Sequence, residues 1–117
     1  MNEMTDGHTV KSFNDEMNQL HQHVMQVGEL VRDQLKRAVD SLEQEDAESA
    51  REVIERDQLV NDLDIEVDDE IVHIIAKRQP MAKDLREIMT VGKIVTDLER
   101  CGDEARKIAM LCVHFYQ

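Results

Sequence analysis

Residues 50–75, AREVIERDQLVNDLDIEVDDEIVHII, decide the fold because they carry two neighbouring helical stripes of different chemistry. Val53, Val60, Val67 and Ile74 recur at steps of seven and form a stripe that is apolar throughout. The second stripe is apolar at both ends and polar in its middle: Ala50, Ile54, Asp57, Asn61, Asp64, Asp68, Ile71 and Ile75. Its steps of four and three are the spacing of one helix face. The segment is therefore predicted to be a long helix with an apolar edge and, beside it, a polar one.

A first helix is predicted upstream of this segment. Apolar residues from Phe13 to Leu42 follow the same spacing and share one face, which predicts a helix over residues 10–44. Ser12 is its expected N-cap, since acidic residues follow it in the first turn. Residues 1–9 are polar and are expected to form a flexible N-terminal tail.

Short connections are predicted to set the arrangement of the helices. Asp46 is expected to cap the second helix, which is predicted over residues 47–78 and ends before Pro80, because the residue before a proline avoids the α-helical region. A third apolar stripe predicts a helix over residues 81–116. Helices joined by short connections pack antiparallel. The predicted fold class is therefore all-α, an antiparallel up-down-up three-helix bundle over residues 10–117.

The composition limits the kinds of partner that the chain can have. Its 117 residues include 26 acidic and 14 basic side chains, which gives a formal net charge of −12. Nucleic acid and anionic membrane surfaces are therefore disfavoured, and a cation or a basic protein surface is favoured. No apolar run is long enough to span a bilayer, and residues 1–8 lack the features of a signal peptide. Cys101 and Cys112 would lie about 16 Å apart on one helix, so free thiols and a cytoplasmic location are expected.

Paired carboxylates form the main candidate site. Asp64 and Asp68 on the second helix, and Glu99 and Asp103 on the third, are each four residues apart, so each pair lies on one helix face. These four residues are called the carboxylate ledge below. Like charges at this spacing repel, and a cation between the two helices would remove the repulsion. The ledge is therefore a candidate site for Mg²⁺, Ca²⁺, Mn²⁺ or iron, which prefer oxygen ligands.

Other interpretations of the same region stay open. Asp57 and Asn61 lie on the same side of the second helix and are weaker candidate ligands. A charged helix face is more often solvated, and nearby arginines would then neutralise it. Glu70 and His73 form the Glu-x-x-His pair of di-metal carboxylate bundles, although that site takes ligands from four helices. A di-metal redox or metal-storage bundle, and a plain dimerisation domain without metal, are therefore the alternatives.

Three sequence elements resemble a known family. They are residues 75–80 (IAKRQP) followed by Asp84-Leu85-Arg86, residues 97–103 (DLERCGD), and residues 53–61 (VIERDQLVN). On these elements the chain resembles the PhoU family of phosphate-uptake regulators from about Phe13 to its end. A usual member has two three-helix bundles, and this chain resembles the first of them. The resemblance therefore implies either a truncated or a single-repeat form.

The resemblance also implies a function. PhoU proteins are non-enzymatic negative regulators of phosphate uptake and of the phosphate-starvation response. They link the ATPase of the phosphate ABC transporter to the phosphate-sensing histidine kinase. A cytoplasmic homodimer with Mg, Mn, Fe or Zn on the carboxylate ledge is implied. Arg86 and Arg100 belong to the matching motifs and are expected to contact a partner.

Overall fold

Three long α-helices make up the described part of the chain. The computed structural model describes the backbone of residues 3–117 and the side chains of residues 10–117. α1 spans Glu3–Glu43, α2 spans Ala47–Arg78 and α3 spans Ala82–Tyr116. Each helix packs against both others in an elongated bundle of 66 × 19 × 17 Å. The predicted all-α, up-down-up fold is confirmed.

The first helix begins earlier than predicted. It starts at Glu3, so the backbone of residues 3–9, predicted as a flexible tail, is helical, and residues 1–2 lie outside the described part. Ser12 consequently lies inside α1 and is not its N-cap. The physical reason is that no proline interrupts this stretch, so the ladder of backbone hydrogen bonds can continue through it.

The two connections follow the expected chemistry. The side chain of Asp46 accepts a hydrogen bond from the backbone N–H of Ser49 at 3.1 Å, which caps α2 as predicted. α2 ends at Arg78, and Gln79 adopts a left-handed conformation with φ 48° while its N–H donates to the Ile75 carbonyl. Pro80 follows at once, so the helix cannot continue.

The core divides into two clusters along the bundle. The larger one contains branched side chains from all three helices: Leu20, Val27, Val31, Val60, Val67, Ile74, Ile88 and Val95. The smaller one, near the α1–α2 connection, consists mainly of small residues: Ala38, Ala50, Val53, Ala105, Ala109 and Cys112. Both cysteines are free thiols, with Cys101 exposed and Cys112 buried. Across the described residues, no helix combines the length and hydropathy needed to cross a membrane.

Candidate functional site

The antiparallel register of α2 and α3 brings most of the carboxylate ledge together. Ile71 of α2 lies opposite Gly92 of α3, where its Cδ1 is 3.9 Å from the position of an added Cβ. Asp68 and Asp64 lie about one and two helical turns before Ile71 in α2, close enough to Glu99 of α3 to interact electrostatically. Three of the four predicted ligands therefore form one group.

Asp64 is the most unusual member of this group. Only 4% of its surface is exposed, and neither carboxylate oxygen has a hydrogen-bond partner among the described residues. It lies between Val60 and Val67, which are both buried, because the polar stripe of α2 borders the apolar one. Burial, together with the negative charges of Glu99, Asp68 and Asp57, raises the pKa of Asp64 to about 7. A buried carboxylate without a partner is costly, so this position favours a proton or a cation.

Glu99 and Asp68 are neighbours across the two helices. Burial raises the pKa of Glu99, and the adjacent Asp68 carboxylate raises it further by charge repulsion and by a hydrogen bond that only the protonated form can donate. Asp68 itself is exposed and Glu99 is half-buried. The two side chains therefore lie beside Asp64 and are more accessible to solvent than it is.

Asp103 has a different environment from the other three. Arg106 Nη2 lies 2.6 Å from its Oδ1, and Lys107 Nζ lies 3.1 Å from its Oδ2. These hydrogen bonds hold the pKa of Asp103 below its usual value. Asp103 therefore already has cationic partners, three and four residues further along its own helix.

Asp57 and Asn61 lie on the same side of the site as Asp103. The Nδ2 of Asn61 donates to Oδ2 of Asp57 at 3.4 Å, and Arg106 Nε lies 3.7 Å from the same oxygen. Burial raises the pKa of Asp57, and the charge of Arg106 opposes that rise. Arg106 therefore lies between Asp57 and Asp103 and shields this end of the site.

The ledge has the oxygen ligands that a cation prefers, but these are not arranged around one position. Among the described residues, no group of three or more His, Cys, Asp or Glu side chains has the spacing of a preformed metal site. Asp68 and Glu99 are already neighbours, but side-chain rotation would be needed to bring their oxygens and those of Asp64 to one ion. The two unpaired oxygens of Asp64 are the observation that fits a metal, since they need a positive partner.

The two predicted partner-binding arginines lie on the outer surface of α3. Arg86 and Arg100 are fourteen residues apart on one exposed stripe. Arg100 Nη1 lies 3.8 Å from Oδ1 of Asp97, in a pair whose members are both largely exposed. Such a pair adds little stability, so the guanidinium remains accessible. Their role in partner binding stays a prediction.

A polar contact between His23 of α1 and Glu70 of α2 is among those that were not predicted from the sequence. His23 Nδ1 of α1 lies 2.7 Å from Glu70 Oε2 of α2. Glu70 therefore contacts His23, whereas His73 is exposed. No sequence signal pairs His23 with Glu70, because they are 47 residues apart and their contact depends on the register of two helices.

Comparison with known proteins identifies the family. The PhoU domain matches residues 24–112, which is most of the chain, and the chain belongs to the PhoU family. It is 46% identical over 101 residues to the phosphate-specific transport system accessory protein PhoU of Edwardsiella tarda, covering 86% of this chain and 42% of that protein. The protein of the same name from Escherichia coli K12 is 42% identical over 101 residues, again covering 86% and 42%.

A solved structure agrees with the fold. The crystal structure of PhoU from Pseudomonas aeruginosa superimposes with a TM-score of 0.84 at 41% identity, over 87% of this chain and 49% of that one. The chain spans less than half the length of the curated relatives described here. Their names describe accessory proteins of a transport system and not enzymes, in agreement with the expected non-enzymatic role.

Proposed function

We propose that this chain acts in phosphate homeostasis as a non-enzymatic adaptor with a cation-dependent surface. In this proposal it is a negative regulator of phosphate uptake and of the phosphate-starvation response. It contacts the ATPase of the phosphate ABC transporter and the phosphate-sensing histidine kinase, in the cytoplasm and as a homodimer. Membership of the PhoU family and the names of the relatives as accessory proteins of phosphate-specific transport support the regulatory part.

The cation-dependent part of the proposal is carried by Asp64. Its buried carboxylate has no partner among the described residues, and Asp68 and Glu99 add oxygen atoms beside it. These three residues would hold the ion, and Asp103, with Asp57 and Asn61, would extend the site once Arg106 moves aside. The ion would supply charge neutralisation, with Mg, Mn, Fe or Zn as the candidate metals.

A di-metal redox or metal-storage bundle is less well supported. Such a site takes carboxylates from all the facing helices. The buried side chains of α1 include no carboxylate in the described part: Met17, Leu20, Val27, Val31, Gln34, Ala38 and Ser41. Glu16 of α1 is half-buried, but it is bound by Arg78 of α2.

Calorimetric titration tests the cation site. The chain is stripped with a chelator and titrated with Mg²⁺, Mn²⁺, Fe²⁺ and Zn²⁺ in turn. Binding is expected for the unmodified chain and a strong loss for Asp68→Asn combined with Glu99→Gln. The matched control is Asp69→Asn, which removes an exposed charge of the same helix and is expected to leave binding unchanged. Equal binding by all three proteins would exclude the ledge as the site, and no binding at all would favour the plain dimerisation domain.

Partner retention tests the adaptor role. The purified transporter ATPase and the cytoplasmic part of the kinase are each immobilised, and retention of the chain is measured with and without the metal that binds best. Arg86→Ala combined with Arg100→Ala is expected to lower retention. Lys36→Ala, an exposed charge on α1, is the control and is expected to have no effect. Light scattering of the same samples reports whether the chain is dimeric.

A further inference from the structure

The face of α2 that carries Asp68 also exposes apolar side chains. Ile65 and Val72 lie three residues before and four residues after Asp68, so they share its side of the helix. Their exposed fractions are 58% for Ile65 and 64% for Val72. Neither side chain contributes to the two core clusters. This side of α2 therefore carries both acidic and exposed apolar side chains.

The matching face of α3 has the same composition. Met89 and Met110 lie fourteen residues before and seven residues after Asp103, so they share its side of α3. Their exposed fractions are 62% for Met89 and 49% for Met110. Met110 also lines a shallow depression with Ile54 of α2. The carboxylate ledge is thus flanked along α3 by an exposed apolar side chain on each side.

The helix register joins these side chains into one surface. Since Ile71 lies opposite Gly92, the neighbouring Val72 and Met89 lie near the same end of the ledge. Ile54 and Met110 lie at its other end. The 21 residues from Met89 to Met110 span about 31 Å of helix. The result is a strip along α2 and α3, called the ledge face below, with Val72 and Met89 at one end, Ile54 and Met110 at the other, and the acidic Asp68 and Glu99 beside Ile65 in its centre.

The charge of α2 sets the chemistry of a partner for this strip. Between residues 57 and 76 there is no lysine or arginine. Of the acidic residues in this stretch, Asp57, Asp64 and Asp68 lie on the side of α2 that belongs to this strip. The buried Asp64, whose oxygens have no partner among the described residues, lies at its centre. Arg106 and Lys107 neutralise the part of the strip near Asp103, so a partner surface is favoured to bring positive charge opposite Asp68 and Glu99.

We propose that the ledge face docks one amphipathic helix of a partner protein, with apolar side chains about 30 Å apart and arginine or lysine between them on the same side. This inference rests on the proposed adaptor function and specifies what its partner presents. A second copy of the chain does not fit this face, because its own ledge face would place carboxylates against carboxylates. The exposed apolar ends supply hydrophobic contact, and the acidic centre supplies orientation.

Binding of a designed peptide tests the proposal. The probe is a fluorescent helical peptide of about 25 residues with leucines near both ends and arginines in the centre of one face. Anisotropy is measured against the full chain in chelating buffer. Val72→Ser combined with Met89→Ser is expected to weaken binding roughly tenfold, because both side chains lose buried apolar contact. The control is Met25→Ser on α1, a similarly exposed side chain away from the ledge face, which is expected to change binding less than about twofold.

A second peptide, with glutamates in place of the arginines, tests the role of charge and is expected to bind at least about tenfold more weakly. Equal binding of the two peptides, or no effect of the paired serine substitutions, would overturn the proposal. The proposal would also fail if the serine substitutions abolished a dimer of the chain and the peptide competed with that dimer, because the occupant would then be a second copy. Circular dichroism confirms that each variant is folded.

The result can be separated from that of the proposed function. Peptide binding in chelating buffer needs no metal, so the docking surface can hold while metal titration fails. Metal binding without peptide binding would remove the docking surface alone. If both sites exist, Mn²⁺ is expected to weaken peptide binding, because the ion and the arginines neutralise the same carboxylates.

Discussion

Gly102 of α3 lies directly against Val60 of α2, and a Cβ added to the glycine would be 3.3 Å from Val60 Cγ1. The same Cβ would be 3.7 Å from Val31 Cγ2 of α1, so all three helices approach one another at this residue. At Gly92, by contrast, the nearest atom to an added Cβ is Ile71 Cδ1 at 3.9 Å. A side chain at Gly102 would therefore crowd the neighbouring helices, whereas Gly92 has room for one.

Alanine substitution is expected to separate these two glycines. Gly92→Ala should raise the free energy of unfolding by about 0.5–1 kcal/mol, because alanine favours a helix and fits the available space. Gly102→Ala should lower it by about 1 kcal/mol, since Val60 is stiff at χ1 and the overpacking outweighs the gain in helix propensity. Urea unfolding of both variants provides the measurement. Equal stabilisation by the two would show that the crossing at Gly102 has room to relax.

The sequence predicted the fold well because periodicity carries most of the information about a helical bundle. The apolar stripe of α2 at Val53, Val60, Val67 and Ile74 is buried as expected. The cap at Asp46 and the end of α2 before Pro80 could be predicted because single residues have strong preferences at helix ends. The start of α1 was predicted wrongly, since a helix can continue where no proline stops it.

The candidate site was predicted less completely. Four-residue spacing identified Asp64 and Asp68 as a pair, but it could not show that one is buried and the other exposed. Asp103 had the same spacing from Glu99, yet Arg106 and Lys107 bind it. That neutralisation was visible in the sequence as basic residues at i+3 and i+4, whereas the depth of Asp64 depends on how the helices rotate against each other.

Stability is expected to depend on pH through Asp64. Its pKa is about 7 in the folded chain, against an ordinary value of 3.8. Between about pH 4 and 7 the folded state keeps a proton that the unfolded state has lost, so the free energy of unfolding falls as pH rises, by up to about 1.4 kcal/mol per pH unit. Above about pH 7 Asp64 is ionised in both states, so the full cost of its buried charge lowers the free energy of unfolding. Urea unfolding in chelating buffer across this range is the measurement.

Two variants show whether this pH dependence belongs to Asp64. Asp64→Asn cannot ionise, so its free energy of unfolding is expected to fall less as pH rises. Above about pH 7 that free energy should be higher than for the unmodified chain. Asp69→Asn removes an exposed charge on the same helix and should keep the original slope. An unchanged slope in Asp64→Asn would show that the carboxylate ionises without cost, for example by rotating into water.

Arg106 is expected to compete with a cation for the ledge. Its guanidinium contacts Asp103 and lies near Asp57, so Arg106→Gln would release negative charge beside the metal candidates. Calorimetric titration with Mn²⁺ should show severalfold tighter binding to this variant. Arg100→Gln is the matched control, since Arg100 pairs only weakly with the exposed Asp97. Equal affinities in both variants and the unmodified chain would place the ion away from Arg106.

Gln34 provides a prediction about the core that is independent of any ion. It is buried, and its Nε2 donates to the Val53 carbonyl at 2.7 Å, while its Oε1 has no partner among the described residues. Gln34→Leu removes the unpaired oxygen and keeps most of the volume, so stability should be unchanged or rise by up to about 1 kcal/mol. Gln34→Ala leaves a cavity and should lose about 1–3 kcal/mol. Urea unfolding at neutral pH compares the two, and a large loss in Gln34→Leu would mean that the hydrogen bond to Val53 is needed to hold α1 against α2.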